Sequence, residues 1–484
     1  MKRALVLGAL LTAACGGGPK QKPPQAPAKP AKPAAPEADM GRPNIVFILT
    51  DDLDLTHIQY MPNLRRHLTA KGTTFSNAFV TYAVCAPSRA SILTGQYAHN
   101  HGMLEGRPPR GSFRRFYSDG RESSTMATWL KAAGYRTGLV GKYLNYYPPQ
   151  RNPSYVPPGW DDWRGYFDWS SAAENHSYYE FDLNENGKVV RYADTEKEYL
   201  TDVLRDKALD FIAQSPKSQP FFLYLAPFAP HAPSLPAERH QTLFPDLKAP
   251  RTPAYNEPDV SDKPAWVRAL PPMSDEVIAQ TDDLFKRRVQ TMQAVDEMID
   301  ALVKSLEADG RLRNTYLVFS SDNGFHFGAH RLDHGKGDAY DESIRVPLIV
   351  RGPGVAAGRT ETAIALNIDF APTFAAIAQA DAPNVDGRSL YRVLMGKAGF
   401  RDWRKDFLVE LYGPEDAGIT EYRALRTIDR LYVEYVNGEK ELYDLKKDPD
   451  ELDSLAKTAE ESELEQLSAR LAILKGCRGE GCRL

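Results

Sequence analysis

Pro43-Asn44-Ile45-Val46-Phe47-Ile48-Leu49-Thr50 is a β-rich apolar run, closed at once by Asp51-Asp52-Leu53-Asp54. A strand apolar on both sides is one covered on both sides, as in a parallel sheet. The carboxylates then stand at its C-terminal edge, where open α/β sheets gather their ligands. Tyr316-Leu317-Val318-Phe319-Ser320-Ser321 repeats the pattern and ends in Asp322-Asn323-Gly324. Tyr135 to Val140 runs into Gly141-Lys142-Tyr143-Leu144-Asn145, and Pro220 to Leu225 is followed by Pro230-His231-Ala232-Pro233. Helical periodicity falls between them, over 62–71, 123–133, 196–214 and 275–307, with a short strand over 75–79. Strand alternating with helix predicts an α/β fold with a doubly wound, mostly parallel sheet.

Outward from that core the composition changes. Residues 146–193 are rich in Tyr, Trp, Pro and Asn, which predicts long surface loops able to stack on sugar rings. The proline-rich stretch 244–272 is expected to wrap the surface. Beyond Gly399, short strands over 407–411, 422–427, 431–435 and 441–445, with an Asn437-Gly438 turn, predict a small antiparallel sheet. A helix near 460–474 closes it. The expected organisation is a catalytic α/β domain over 41–399 and an antiparallel C-terminal subdomain over 400–484.

The N-terminus reads as an export signal over 1–15: Lys2-Arg3, an apolar stretch to Ala14, then Cys15 after Thr12-Ala13-Ala14. That apolar stretch is too short to span a bilayer. Small residues before a cysteine resemble a bacterial lipoprotein signal, although Thr12 stands where that pattern prefers leucine. The membrane would then be met only through a lipid anchor at Cys15, with the chain in the periplasm or cell envelope. Residues 16–40 form a Pro/Ala/Lys spacer with little to bury. Cys477 and Cys482 are expected to pair in an oxidising compartment. With 484 residues, 42% of them hydrophobic, the chain can bury a large core. A net charge of −4 without a Lys/Arg run in the body argues against nucleic acid as a partner.

Chemistry centres on Val84-Cys85-Ala86-Pro87-Ser88-Arg89-Ala90-Ser91-Ile92-Leu93-Thr94-Gly95. Pro87 can open a helix and Gly95 can end it in a left-handed conformation. Cys85 then sits at a helix N-terminus, where unpaired N–H groups favour negative charge, and Arg89 lies one turn along. The plain alternative is a buried structural cysteine. An arginine beside a helix start makes an electropositive seat instead. Asp51, Asp52, Asp322 and Asn323 could merely end strands, but two such pairs of oxygen ligands suit a hard cation, Ca²⁺ or Mg²⁺. Asp54 reads as structural.

Cys-x-Pro-Ser-Arg followed by Leu-Thr-Gly resembles the signature of the type I sulfatases. So do Gly-Lys-Tyr after one strand, Pro-His-Ala-Pro after another, and Lys336 ahead of Tyr340 to Leu348. The likeness extends from about residue 43 to 456. Gly-Lys-Tyr-Leu-Asn at 141–145 and Asp322-Asn323-Gly324-Phe325-His326 resemble the N-acetylglucosamine-6-sulfatases and related heparan-sulfate 6-O-sulfatases. The resemblance implies an alkaline-phosphatase-like fold and calcium on Asp51, Asp52, Asp322, Asn323 and position 85. It also implies that a formylglycine-generating enzyme converts Cys85 to formylglycine, whose hydrate attacks sulfur.

Lys142, His231 and Lys336 would neutralise sulfate, with His231 protonating the leaving alcohol, and Arg89 and Lys142 steadying the nucleophile. Asn145 and His326 would bind substrate. His330 and His334 depart from the branch and receive no role. The expectation is an exported sulfatase acting on sulfated carbohydrate, at glucosamine O6. The enzyme alternatives are another sugar or aryl specificity, or a phosphonate or phosphodiester hydrolase. A carbohydrate-binding surface lipoprotein with unconverted Cys85 is the non-enzyme alternative.

Overall fold

The computed structural model describes residues 41–168, 178–397, 403–413 and 418–483, so the expected signal, the spacer and Cys15 lie outside the described residues. Residues Gly41–Leu484 form one compact unit. Ten strands make its main sheet: β1 (Asn44–Thr50), β2 (Thr73–Phe75), β4 (Arg136–Gly141), β5 (Asp162–Tyr166), β6 (Asp182–Glu185), β7 (Lys188–Arg191), β8 (Phe221–Ala226), β9 (Thr315–Ser321), β10 (Leu348–Arg351) and β11 (Arg359–Glu361). Their order is β11-β2-β10-β9-β1-β8-β4-β5-β6-β7. The centre, β9-β1-β8-β4-β5, is parallel throughout, while β10, β6 and β7 run antiparallel to their neighbours.

Every residue of β1 is buried, and the alternation of its side chains shows why. Ile45, Phe47 and Leu49 pack with Ile92, Leu130 and Phe374 on one face of the sheet. Val46 and Ile48 pack with Leu204, Phe211, Met298 and Leu302 on the other. Successive side chains point to opposite faces, so helices on both sides require an unbroken apolar run. The first face carries the helices Cys85–Thr94, Met126–Ala132 and Phe370–Ala378; the second carries Leu200–Gln214 and the 34-residue Asp275–Ala308. No helix among the described residues is long and apolar enough to cross a membrane.

A two-stranded sheet joins β3 (Ala78–Phe79) to β12 (Ala365–Leu366). The expected antiparallel sheet is β13 (Asp406–Leu411), β14 (Tyr422–Thr427), β15 (Arg430–Tyr435) and β16 (Lys440–Asp444) in sequential order, with the helix Glu461–Lys475 against it. Cys477 and Cys482 are joined in a disulfide.

Three expectations need correcting. Helix 62–71 ends at His67, with a 3-10 turn at Thr69–Lys71, and strand 75–79 is two strands split at Ser76-Asn77. Residues 146–193 are not all surface loop, for they contain β5, β6 and β7. Their aromatics are core: Tyr147, Trp163 and Tyr178 are fully buried. Burial is possible because the polar tips find partners. Trp163 Nε1 donates to Tyr147 Oη at 2.6 Å, and that hydroxyl donates to the Tyr155 carbonyl at 2.5 Å.

Candidate active site

Register brings the acids together. β1 pairs with β9 in parallel, Thr50 opposite Ser321, so Asp51-Asp52 and Asp322-Asn323 leave the sheet side by side at the same edge. β8 and β4 continue that edge, Leu225 opposite Val140. Lys142 and the loop carrying His231 therefore emerge beside the acids. The segment from β3 delivers Cys85 at the first position of a helix running Cys85–Thr94, with Pro87 inside the first turn, where its missing N–H is not needed. Gly95 ends that helix at φ 69°, as a left-handed cap.

Cys85 Sγ donates to Asp51 Oδ1 at 3.3 Å and lies 3.7 Å from Asp52 Oδ1. Lys336 Nζ sits 2.7 Å from the sulfur, contacts Asp52 Oδ1, and is 3.4 Å from Asn323 Oδ1. Lys142 Nζ is 2.6 Å from Asp51 Oδ2 and 3.3 Å from Asp168 Oδ2. His231 Nε2 is 3.7 Å from Asp52 Oδ2, with a quarter of its side chain exposed. Asn323 Nδ2 donates to Asp52 Oδ1 at 2.7 Å, and the Asp52 N–H donates to Asp322 Oδ1 at 3.0 Å.

Arg89 is fully buried and turns to the acids. Its Nε donates to Asp322 Oδ2 at 2.8 Å, its Nη2 lies 3.7 Å from Asp51, and its Nη1 donates to the Lys142 carbonyl at 3.1 Å. Its tie to the sulfur runs through Asp51. Asn145 is half-buried beside Lys142 in sequence, with an Oδ1 that has no hydrogen-bond partner. His326 is placed differently from the rest. It is fully buried, its Nε2 2.9 Å from Asp338 Oδ2, so it has no open surface for a substrate. His334 is exposed and paired with Asp333, and His330 is buried against Glu257. Asp54 caps the 3-10 turn Leu55–Tyr60 and pairs with His57, which is a structural role.

The electrostatics follow from this packing. Burial pushes the Asp51 carboxyl up, but Lys142, with His231, Arg89 and Lys336, outweighs it and holds the group well below the usual carboxylate range. Asp52 is lowered against its burial, chiefly by Lys336 and His231. Burial and then Asp51 push the Cys85 thiol well up. As a cysteine it stays a neutral thiol, a poor nucleophile, since the thiolate is the reactive form. Burial alone would lower Lys142 and Lys336, yet Asp51 and Asp52 respectively raise them, so both remain ammonium.

Two residues that contact this cluster lay beyond sequence reasoning. Asp168, nearly fully buried, is the second carboxylate on Lys142 and sits within the aromatic stretch. Arg288 is fully buried and donates to the carbonyls of Asp52 and Pro230. A signal existed for Arg288: it falls on the stripe of Phe285, Val289 and Met292, where an amphipathic helix should be apolar.

The donor set fits a hard cation. Three carboxylates and an amide oxygen converge, all buried, and a cationic nitrogen, Lys336 Nζ, already stands against Asp52 and Asn323. Asp51, Asp52, Cys85 and His231 each offer a ligand atom within 4.8 Å of the others.

Residues 43–380 match the Sulfatase family, and residues 328–475 match the C-terminal part of N-sulphoglucosamine sulphohydrolase. Human N-acetylglucosamine-6-sulfatase is 36% identical over 91% of this chain and 86% of its own length. N-acetylglucosamine-6-O-sulfatase of Bacteroides thetaiotaomicron is 31% identical, over 87% of this chain and 83% of its own. A solved structure in complex with its substrate, D-glucosamine-2-N,6-O-disulfate, superposes with a TM-score of 0.76. It is 28% identical, covering 89% of this chain and 97% of the other.

Proposed function

Because the chain belongs to the sulfatase family, and is therefore a sulfuric ester hydrolase, we propose that it removes the 6-O-sulfate of N-acetylglucosamine or glucosamine in glycosaminoglycan-type saccharides. The observation that carries this reading is the convergence of Asp51, Asp52, Asp322, Asn323, Lys142, His231 and Lys336 around Cys85. Oxidation of Cys85 to formylglycine would supply a hydrated aldehyde as nucleophile toward sulfur. Asp51, Asp52, Asp322 and Asn323 would hold calcium, which supplies positive charge to the sulfate oxygens. The neutral thiol of unconverted Cys85 supports the need for that conversion.

The chain's own residues then take these parts. Lys142 and Lys336, fixed as ammonium, place positive charge against the anionic sulfate oxygens, where negative charge builds up in the transition state. Asp168 holds Lys142 from the far side, and Arg89 holds Asp51 and Asp322 in place. His231 is half-buried on a loop at the mouth of the cluster and donates a proton to the leaving sugar oxygen. The Tyr178 hydroxyl donates to its carbonyl at 2.8 Å and steadies that loop. Asn145, with its unpartnered amide oxygen, meets the sugar.

The catalytic part is assigned to 41–399 and the antiparallel subdomain to 400–484. The protein works in the periplasm or cell envelope, lipid-anchored at Cys15, after maturation by a formylglycine-generating enzyme. The Cys477–Cys482 disulfide supports an oxidising compartment.

The test is a panel of defined oligosaccharides sulfated at glucosamine O6, galactose O6, galactosamine O4 or nitrogen. Glucosamine O6 should react fastest, and faster release from any other position overturns the substrate assignment.

A further inference from the structure

A second cluster of ligating side chains lies apart from Cys85. His330, Glu342 and Glu451 each offer one ligand atom, and the three atoms all lie within 4.8 Å of one another. They come from three separate segments: the loop after β9, the short helix Asp341–Ile344, and the turn following β16. Ligands 2.0–2.2 Å from one zinc ion stand about 3–4 Å apart, so a small inward shift closes such a shell.

Two of the three groups carry a buried atom with no hydrogen-bond partner. His330 is fully buried, and its Nε2 makes no hydrogen bond. Glu451 is 1% exposed; its Oε2 accepts the Asp341 N–H at 3.1 Å, while its Oε1 has no donor. Buried polar atoms are rarely left unsatisfied, and each such case calls for an occupant or a charge. Glu342 and Asp341 stand near Glu451 as further carboxylates, and Arg426 pairs with Asp341 at 2.9 Å.

The imidazole is prepared for ligation. His330 Nδ1 is 2.7 Å from Glu257 Oε2, so a proton on Nδ1 is held by that carboxylate and Nε2 is left as the unbonded nitrogen free to ligate. A carboxylate behind a histidine in this way fixes the ligating tautomer in metal sites. Glu342 and Asp341 also line a cavity of about 220 Å³ beside the cluster, which gives water or an ion a way in.

We propose that His330, Glu342 and Glu451 bind a second metal ion, a zinc-type divalent cation, distinct from the hard cation on the Asp51 group. One imidazole with two carboxylates suits zinc or its neighbours rather than calcium, which takes oxygen ligands alone. The ion ties together the segments on either side of Lys336, since His330 precedes it by six residues and Glu342 follows it by six. Its part is to hold the Lys336 loop in place.

The experiment is elemental analysis of the full chain, purified without chelator and then equilibrated with excess zinc in calcium buffer before gel filtration. About one zinc per chain is expected, and adding zinc to chelator-treated protein should raise the melting temperature where magnesium does not. Glu451→Gln and Glu342→Gln should each lose the zinc. Glu342 is half-buried, so its variant decides the matter if Glu451→Gln fails to fold. Asp52→Asn should keep the zinc. Three results overturn the site: less than about a tenth of an equivalent of zinc in the parent, zinc retained in Glu342→Gln, or zinc lost in Asp52→Asn.

Discussion

Arg288 donates to the carbonyl of Asp52 and, at 3.1 Å, to the carbonyl of Pro230, so one guanidinium ties the strand end bearing the acids to the loop bearing His231. Asp52 has φ 66°, a left-handed conformation that a non-glycine residue adopts at a cost. The guanidinium stacks 4.0 Å above the Phe325 ring, which fixes it from the side. Lysine cannot span two carbonyls in this forked geometry. Arg288→Lys should therefore lower kcat about 10²-fold by misplacing the acids relative to His231. Because the residue positions others, the slope of rate against leaving-group acidity should also change. A variant with parent kcat and slope would reduce Arg288 to a core filler.

Cys85→Ala should abolish turnover while shifting the melting temperature by only a few degrees, since one weak sulfur donor is lost from a cluster otherwise intact. Calcium affinity should fall only modestly, because Asp51, Asp52, Asp322 and Asn323 remain. Cys85→Ser should also fail to turn over, as a serine sulfate lacks the second hydroxyl needed to expel sulfate. Mass spectrometry of the Cys85 peptide checks the premise in the parent, where formylglycine is lighter than cysteine. Residual activity of a few per cent in Cys85→Ala would place the nucleophile elsewhere.

How the site was legible in sequence depends on what each residue's neighbours are. Asp51-Asp52 and Asp322-Asn323 each close a short β-rich apolar run, the pattern of a strand covered on both faces, so a shared edge of a parallel sheet follows from it. The Cys85 helix was readable because Pro87 and Gly95 mark its two ends. Asp168 was not readable: it follows β5, whose Asp162-Trp163-Arg164-Gly165-Tyr166 mixes charged and aromatic residues in no clear period. Tyr147 and Trp163 look like surface residues by composition and are core by virtue of the hydrogen bonds that satisfy their tips. His326 lies only three residues past Asn323, yet the chain turns its ring to Asp338, which nothing local announces.

His231 stands 3.7 Å from Asp52 and keeps a quarter of its side chain exposed. If it protonates the leaving oxygen, it contributes about 10²–10⁴ in rate. His231→Ala should lose that much on sugar sulfates, whose alkoxides are poor leaving groups. On an aryl sulfate with an acidic phenol the loss should be far smaller. Steady-state rates on the two substrate types settle the point, and an equal loss on both would falsify the general-acid role, leaving only sulfate binding.

Glu122 offers a pH test that does not touch the reacting atoms. It lies in the 3-10 turn Arg121–Ser123, nearly fully buried, where the Tyr155 hydroxyl donates to it at 2.7 Å and that of Tyr143 at 3.3 Å. Burial pushes its carboxyl from 4.5 up to about 7, and the two hydroxyl bonds only partly oppose this. Between those values the native state holds a proton that the unfolded chain has released, so stability falls as pH rises. The loss begins above the unfolded value and is complete once pH passes the folded one. A shift of this size corresponds to about 3 kcal/mol. Glu122→Gln keeps a neutral, hydrogen-bonding side chain at every pH and should escape the decline. Denaturant melts at pH 5 and pH 8 should therefore show the parent losing about 2.5 kcal/mol relative to the variant. Parallel profiles for parent and Glu122→Gln would mean that Glu122 keeps an ordinary carboxylate pKa beside Tyr143 and Tyr155.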